Sequence, residues 1–510
     1  MINIMNAWTS DVSFFNTFPT ATLSLTALVL VVATVYSFFS VKYRYWKNRK
    51  IDGPEPAIPF GNSLRPRGTG WHDIDMENVA KYGKVFGIYQ GVNPVLVICD
   101  PELLKDVLVR DFASFADRMT SFHRIQKQSL ITTRGKRWRE QRTIMSPTFT
   151  SGKMKAMHGL IKSAVSNLLE HMDTQMVKGS AEFNNKELFG DLTLGVIAIC
   201  AFATDTNAHQ NRGDNIFVKQ MRSFFNFSIP KMMIATILPT FFKEWTEFTA
   251  NPKSALNFFI DMSRSILEQR KQMGKNNHVD LLQLMLDAET KSASGKVDKL
   301  TDEEIIANII LVLIAGYETT SSLLTYATYS LAVHPEVQDR LREEVQEAVE
   351  ADGGEIKYDT VMNLKYLDAV INETLRRYTP VLRIERQATT DYEFKSLGLR
   401  VKKGDKVQIP INAIHHQEEF YPDPFKFDPD RFMPENKDKL VPYTFLPFVL
   451  GPRNCIGARF ALLEAKTALA TIILKYNLNR CPKTAVPLDM SNCKFLVNAK
   501  EVVISYSERK

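Results

Sequence analysis

The chain has 510 residues, with 45% hydrophobic, 10% aromatic and 24% charged side chains. That balance excludes a disordered, collagen-like or disulfide-framework protein. The 64 basic and 57 acidic residues leave +7, of which +4 falls in residues 1–50, so the remaining 460 carry only +3. An excess so small is no nucleic-acid footprint. Cys99, Cys200, Cys455, Cys481 and Cys493 form no C-x-x-C pair, which fits a reducing compartment and no zinc ribbon.

Residues 12–41 carry no charge, and their densest part, 21–41, is long enough to cross an apolar slab of about 30 Å as a helix. Five basic residues follow within 42–50, beside Tyr43, Tyr45 and Trp46. Such a flank belongs on the cytosolic side, with its aromatics at the headgroup layer. Pro54, Pro56 and Pro59 then forbid a helix and read as a stiff tether. The expected organisation is a lumenal N-terminus (1–20), a transmembrane anchor (21–41), a basic flank and proline-rich hinge (42–62) and one cytosolic domain (63–510).

Residues 85–99 read as a hairpin of two β-rich runs around Gly91-Val92-Asn93-Pro94. Most of 100–378 has a helical pattern, and strands return around 382–412. Thr301 followed by Glu304 is a capping box, and the helix it opens can run to His334, where Pro335 stops it. That is about 50 Å at roughly 1.5 Å per residue. Residues 224–245 are rich in aromatics and methionine, but their uncharged run of 11 residues is too short to span a bilayer. They read as ordinary core or as a partly exposed segment facing lipid or a ligand.

The densest chemistry lies at 448–457, FVLGPRNCIG. Gly451 and Gly457 permit a tight loop close to a flat ligand. A helix beginning after Cys455 aims N–H groups at the sulfur, which favours thiolate, and Arg453 adds a cation. Glu373 and Arg376 form an E-x-x-R on one helical face, and 427–432 (FDPDRF) supplies Arg431. The run 315–320 (AGYETT) sits in the middle of the long helix, where threonines can bond back to carbonyls one turn earlier. Trp138 and Arg142 form W-x-x-x-R within RGKRWREQR (134–142), which holds five basic residues in nine. His415 and His416 read as structural, since neighbours on a strand point to opposite faces.

The pattern F-x-x-G-x-R-x-C-x-G, with the E-x-x-R, the 427–432 segment and the Glu-Thr-Thr helix in order, resembles the cytochrome P450 family. Segments 146–155, 314–322 and 451–462 look closest to its animal microsomal 3A-like and thromboxane-synthase branch. The resemblance implies a mainly α fold with small β-sheets, a single haem domain behind the transmembrane helix. Cys455 would be the axial thiolate of haem b, with Phe448 beside it. Arg118, Trp138, Arg142, Arg386 and Arg453 would meet the propionates. Glu318 and Thr319 match the acid–alcohol pair that delivers protons, and Glu373, Arg376 and Arg431 would form a stabilising cluster. Ligand-facing residues would come from 118–134, 224–245, 310–320 and 381–386. The implied activity is insertion of one oxygen atom from dioxygen into a lipophilic steroid, fatty acid or xenobiotic, at the endoplasmic reticulum membrane. Electrons would come from NADPH through NADPH-cytochrome P450 reductase, with cytochrome b5 as a further partner. Arg134, Lys136, Arg137 and Arg139 would form the docking face, with Arg142 turned inward. The alternatives are an electron-independent peroxide isomerase of thromboxane-synthase type and a haem sensor; neither needs the acid–alcohol pair.

Overall fold

The computed structural model describes residues 12–509 apart from 65–67, 119–122, 205, 207, 209–213, 239, 274–279, 292–296, 492 and 494–495. Residues 1–11 of the expected lumenal segment, and part of 118–134, lie outside the described residues. The first helix, α1 (Val12–Lys42), begins where the charge-free run begins, before the expected start at 21. From Thr22 on it is long and apolar enough to cross a membrane, and side chains such as Leu23, Leu30 and Val41 are exposed.

The hairpin forms as read, with β1 (Val85–Gln90) and β2 (Asn93–Ile98) antiparallel around Gly91-Val92. Further along come α2 (Gly135–Met145), α3 (Asn185–Phe202), α4 (Ile229–Ile237) and α5 (Thr240–Trp245). The long helix α6 (Asp302–Val333) opens on the expected capping box. The Glu304 amide donates to the Thr301 hydroxyl at 3.3 Å, and the Thr301 amide donates to the Glu304 carboxylate at 2.9 Å. Then follow α7 (Lys365–Arg377), β3 (Ile384–Gln387), β4 (Lys406–Ile409), α8 (Ile411–His415) and α9 (Ala458–Lys475).

Helix α6 is apolar nearly all round because it runs through the core, with α3 along one side and α9 and α7 against others. The main sheet has the order β1-β2-β4-β3, with β2 and β4 parallel and the outer pairs antiparallel. Behind the core, Arg376 grips Glu373 bidentately at 2.7 and 2.8 Å, and both are fully buried. Arg431 joins them, its Nε 3.6 Å from the Glu373 carboxylate. Arg376 also donates to the carbonyls of His415 and Pro424 at 2.8 and 2.9 Å, which ties α7 to the chain leaving α8.

The histidine pair is structural, but on α8 and its C-cap, where a strand was expected. His415 Nε2 accepts the Leu446 amide at 2.9 Å, so its proton sits on Nδ1, facing the Arg376 carbonyl. Burial, with Arg376 nearby, pushes its pKa down to about 3.

The hinge is the chief correction. The expected stiff tether is not a spacer standing apart from the body, because Tyr43 and Trp46 of its basic flank belong to the core beneath the sheet. The Trp46 indole donates to the Ile88 carbonyl at 3.0 Å, and its amide donates to the Tyr89 hydroxyl at 3.1 Å. The Tyr89 hydroxyl donates to the Tyr43 carbonyl at 2.8 Å, and the Gly61 amide donates to the Tyr43 hydroxyl at 3.1 Å. Gly87 makes room for the indole, since a Cβ there would lie 2.3 Å from the ring. The foot of the anchor is thus folded into the body.

Removing residues 1–41 should leave the body's stability unchanged, whereas removing 1–46 should destabilise it. Trp46→Ala in the full chain should cost about 3–5 kcal/mol in denaturant unfolding. Equal midpoints for the two truncations would contradict this clamp.

Candidate functional site

A cavity of about 2120 Å³ lies between α6 and the loop 448–457, and Cys455 is on its wall. The loop owes its shape to Gly451, held at φ 75° against the Leu108 carbonyl. A Cβ at Gly451 would lie 1.8 Å from that oxygen, so no other residue fits. The Cys455 amide donates to the Phe448 carbonyl at 2.9 Å and turns the chain into α9. Cys455 is exposed, and the surface it exposes faces the cavity. Burial of the surrounding site pushes its thiol pKa up, while the Gly457 N–H, Arg142 and Arg118 pull it back. The thiolate preference read from the helix terminus is therefore outweighed by desolvation unless a metal takes the proton's place.

Around this loop the structure gathers the expected guanidinium groups. Arg453 donates to three carbonyls, of Ala116, Leu130 and Thr133, at 2.9, 3.1 and 2.7 Å, and lies over the Trp138 ring at 4.1 Å. Arg118 donates to the Arg453 carbonyl at 2.7 Å. Arg142 reaches the loop as well, donating to the Asn454 carbonyl and side-chain oxygen at 3.0 and 2.6 Å. Arg386 is buried, and among the described residues its one hydrogen bond is to its neighbour's carbonyl at 3.0 Å. Its Nε and Nη2, and Arg118 Nε, have no acceptor among the described residues. Burial, sharpened by their mutual repulsion, holds Arg386 well below the usual range and lowers Arg453 to about 9. Cations this crowded require anions. A ligand that brings two carboxylates to Arg118 and Arg386 would meet that requirement.

Opposite the cysteine, α6 presents Ala315, Gly316, Thr319 and Thr320 to the cavity. The helix stays regular there, and Thr319 Oγ1 donates to the Ala315 carbonyl at 2.6 Å. Space comes from the small side chains of Ala315 and Gly316, not from a break in the helix. Glu318 is absent from the cavity wall, since consecutive helical side chains diverge. It faces Lys186 on α3; burial raises its pKa and Lys186 lowers it. Nothing in the spacing of the two segments pointed to Lys186.

The four expected ligand-facing stretches all contribute, through residues such as Leu130, Met232, Leu311 and Val381. Helix α4 lines the cavity with Met232 and Met233 yet buries none of its residues, while Phe241 and Trp245 of α5 are exposed. The sheet adds wall that the sequence reading missed, including Ile88, Gln90, Lys406 and Gln408.

The basic run on α2 is not one outward face. Arg137 turns inward to the buried Glu304, 2.5 Å from Nε to Oε1, with a second contact through Nη2. Gln141 donates to the same carboxylate at 2.8 Å. Arg134 donates to the Arg118 carbonyl at 2.9 and 3.1 Å. Lys136 and Arg139 remain exposed.

Residues 51–506 match the sequence profile described as Cytochrome P450. Cytochrome P450 3A17 of Cavia porcellus is 34% identical over 94% of this chain and 96% of its own length. Cytochrome P450 3A29 of Sus scrofa is 35% identical over 96% and 97%. Cytochrome P450 3A56 of Fundulus heteroclitus is 36% identical over 91% and 95%. With a cysteine loop, a guanidinium cluster and a threonine-bearing helix around one cavity, the chain belongs to the cytochrome P450 family, the haem-thiolate monooxygenases.

Proposed function

We propose that this protein is a membrane-anchored monooxygenase that oxidises lipophilic substrates with electrons passed from NADPH by NADPH-cytochrome P450 reductase, with cytochrome b5 as a second donor. The observation that carries the reading is the pairing of Cys455 with Thr319 across one cavity, beside unsatisfied guanidinium nitrogens. When bound, haem supplies dioxygen activation and oxygen transfer. Cys455 would hold the iron, with Phe448 beside it. Arg118, Arg386, Arg142 and Trp138 would hold the carboxylates, while Arg453 braces the loop against Ala116, Leu130 and Thr133. Thr319 Oγ1 holds a proton at the cavity wall, and Glu318, beside Lys186, exchanges protons with the exterior. A peroxide isomerase would have no use for that hydroxyl. Apolar walls exclude water and orient the substrate.

The reading extends to a single-pass anchor in the endoplasmic reticulum membrane, with the body cytosolic. Exposed Phe241 and Trp245 are suited to the same interface. Electrostatic steering of an acidic flavin domain falls to Lys136 and Arg139, because Arg137 is committed to Glu304.

Cys455→Ala should abolish the strongly red-shifted Soret band of the reduced, CO-bound protein, while Cys481→Ser and Cys493→Ser retain it. An unchanged band in Cys455→Ala would remove it as the ligand. Thr319→Ala should keep haem and substrate binding but divert electrons to peroxide, lowering product per NADPH several-fold. Full coupling in that variant would defeat the proton role. Lys136→Glu with Arg139→Glu should slow reductase-supported turnover about tenfold and spare peroxide-driven turnover. A parallel loss of both activities would place the damage in folding. The substrate itself would emerge from metabolite profiling of membranes carrying this chain and its reductase.

A further inference from the structure

Apart from the main cavity, a small void of about 20 Å³ lies where α3 and α6 meet the helices Ile216–Phe224 and Lys253–Met273. Its inner end is formed by Leu194 and Ala198 of α3, Leu313 of α6 and Phe259, all buried. Its outer end is formed by Phe217 and Met262, both half-buried, so the void lies just beneath the surface. Among the described residues that line it, Thr204 alone is polar, and its hydroxyl donates to the Phe202 carbonyl at 3.4 Å. The carbonyls at the end of α3 are likewise taken: Ala198 accepts the Ala203 amide, and Phe202 accepts Arg270 Nη2 at 3.4 Å. A buried water needs about two to four polar partners, which this lining does not supply. The space holds one molecule the size of water or a diatomic gas, and no larger ligand.

One side chain stands between this void and the main cavity. On α3, Leu194 and Ala198 are one turn apart and face the void, while Ile197 faces the main cavity. On α6, three residues separate Leu313 at the void from Gly316 at the main cavity, and three more reach Thr319. Ile197 lies directly over Gly316, where a Cβ would be 3.0 Å from its Cδ1 and 3.2 Å from its Cγ1. The nearest atom is thus the terminal methyl, which moves by rotation about one torsion between staggered positions. In a close-packed core such a rotation lacks room, and the adjoining void supplies it.

We infer that this void is a docking site for dioxygen on its way to the main cavity, with Ile197 as the door beside Gly316 and Thr319. The inference rests on the monooxygenase reading, which needs dioxygen beside Thr319 while a lipophilic substrate occupies the main cavity. That substrate covers the direct approach, and a separate apolar entrance lets the gas arrive with the substrate in place. Dioxygen gains by leaving water for a lining that otherwise lacks contacts on one side.

The test uses the full-length, ferric haem-loaded protein in nanodiscs with its methionine methyl groups carbon-13 labelled. Ferric iron does not bind dioxygen, so paramagnetic relaxation under dioxygen pressure reports protein sites alone. Relaxation of the Met262 methyl should be enhanced severalfold more than that of exposed Met273 or close-packed Met172, and Ala198→Leu should remove the excess. With substrate bound, Ala198→Leu should also slow CO recombination after flash photolysis and raise the KM for dioxygen, each about threefold, at unchanged kcat. Leu313→Phe, which fills the void from α6, gives the same readings if Ala198→Leu does not fold. Equal enhancement at the three methyls in wild type, or an excess that survives filling, would overturn the site. An excess that is lost while CO recombination and the KM for dioxygen stay unchanged would overturn the route. The methyl reading needs no turnover, so it is judged apart from the CO-bound Soret band, whose loss in wild type would refute the monooxygenase reading instead.

Discussion

Arg453 is the contact on which the site depends. Its guanidinium donates to the carbonyls of Ala116, Leu130 and Thr133 and covers the Trp138 ring, while its own loop carries Cys455 two residues on. One buried cation thus fixes the cysteine loop to a wall built from residues more than 300 positions earlier. Three charge-assisted hydrogen bonds in a low-dielectric setting hold that geometry far more firmly than loop packing alone could. Gly451 adds the complementary constraint: the loop can close on the Leu108 carbonyl only because no Cβ intervenes.

The same region concentrates positive charge at a cost that the protein does not cancel internally. Arg118 and Arg386 hold buried nitrogens without acceptors among the described residues, close to Arg453 and to one another. Elsewhere among the described residues, buried cations meet carboxylates. Arg376 takes Glu373, Arg270 takes Asp280 and Lys466 takes Asp368, and the half-exposed Arg137 takes the buried Glu304. That contrast marks the unsatisfied pair as waiting for a ligand's carboxylates, since buried charges without partners are otherwise selected against by their desolvation.

A second organising contact lies at the other side of the sheet. Tyr43 and Trp46 close the anchor onto the body through three hydrogen bonds to β1 and one from the Gly61 amide, and Gly91 at the hairpin turn presses on the Thr236 carbonyl of α4. The anchor, the sheet and the cavity's outer wall are therefore one mechanical unit. The direction of α1 relative to the cavity is set by buried aromatic packing and not by the stiffness of a proline linker.

Much of the chemistry was legible in the residues themselves, because its constraints are local. A tight loop needs Gly451 where it stands, a capping box needs Thr301 and Glu304 three apart, and an E-x-x-R brings its partners together within one turn. The charge-free run ending at Lys42 determined a long apolar helix in the same way. What the tertiary structure alone decided were relations between segments distant along the chain. Periodicity could place Glu318 next to Thr319 but not reveal that one faces Lys186 and the other the cavity. Composition made RGKRWREQR a basic patch, yet Glu304, over 160 residues away, turns Arg137 inward. Likewise Gln90, Glu385, Lys406 and Gln408 come from three strands and are ordinary polar residues until sheet register places them on one face. Local sequence specifies which turns and helices can form; only packing specifies which buried charges meet and which are left for a ligand.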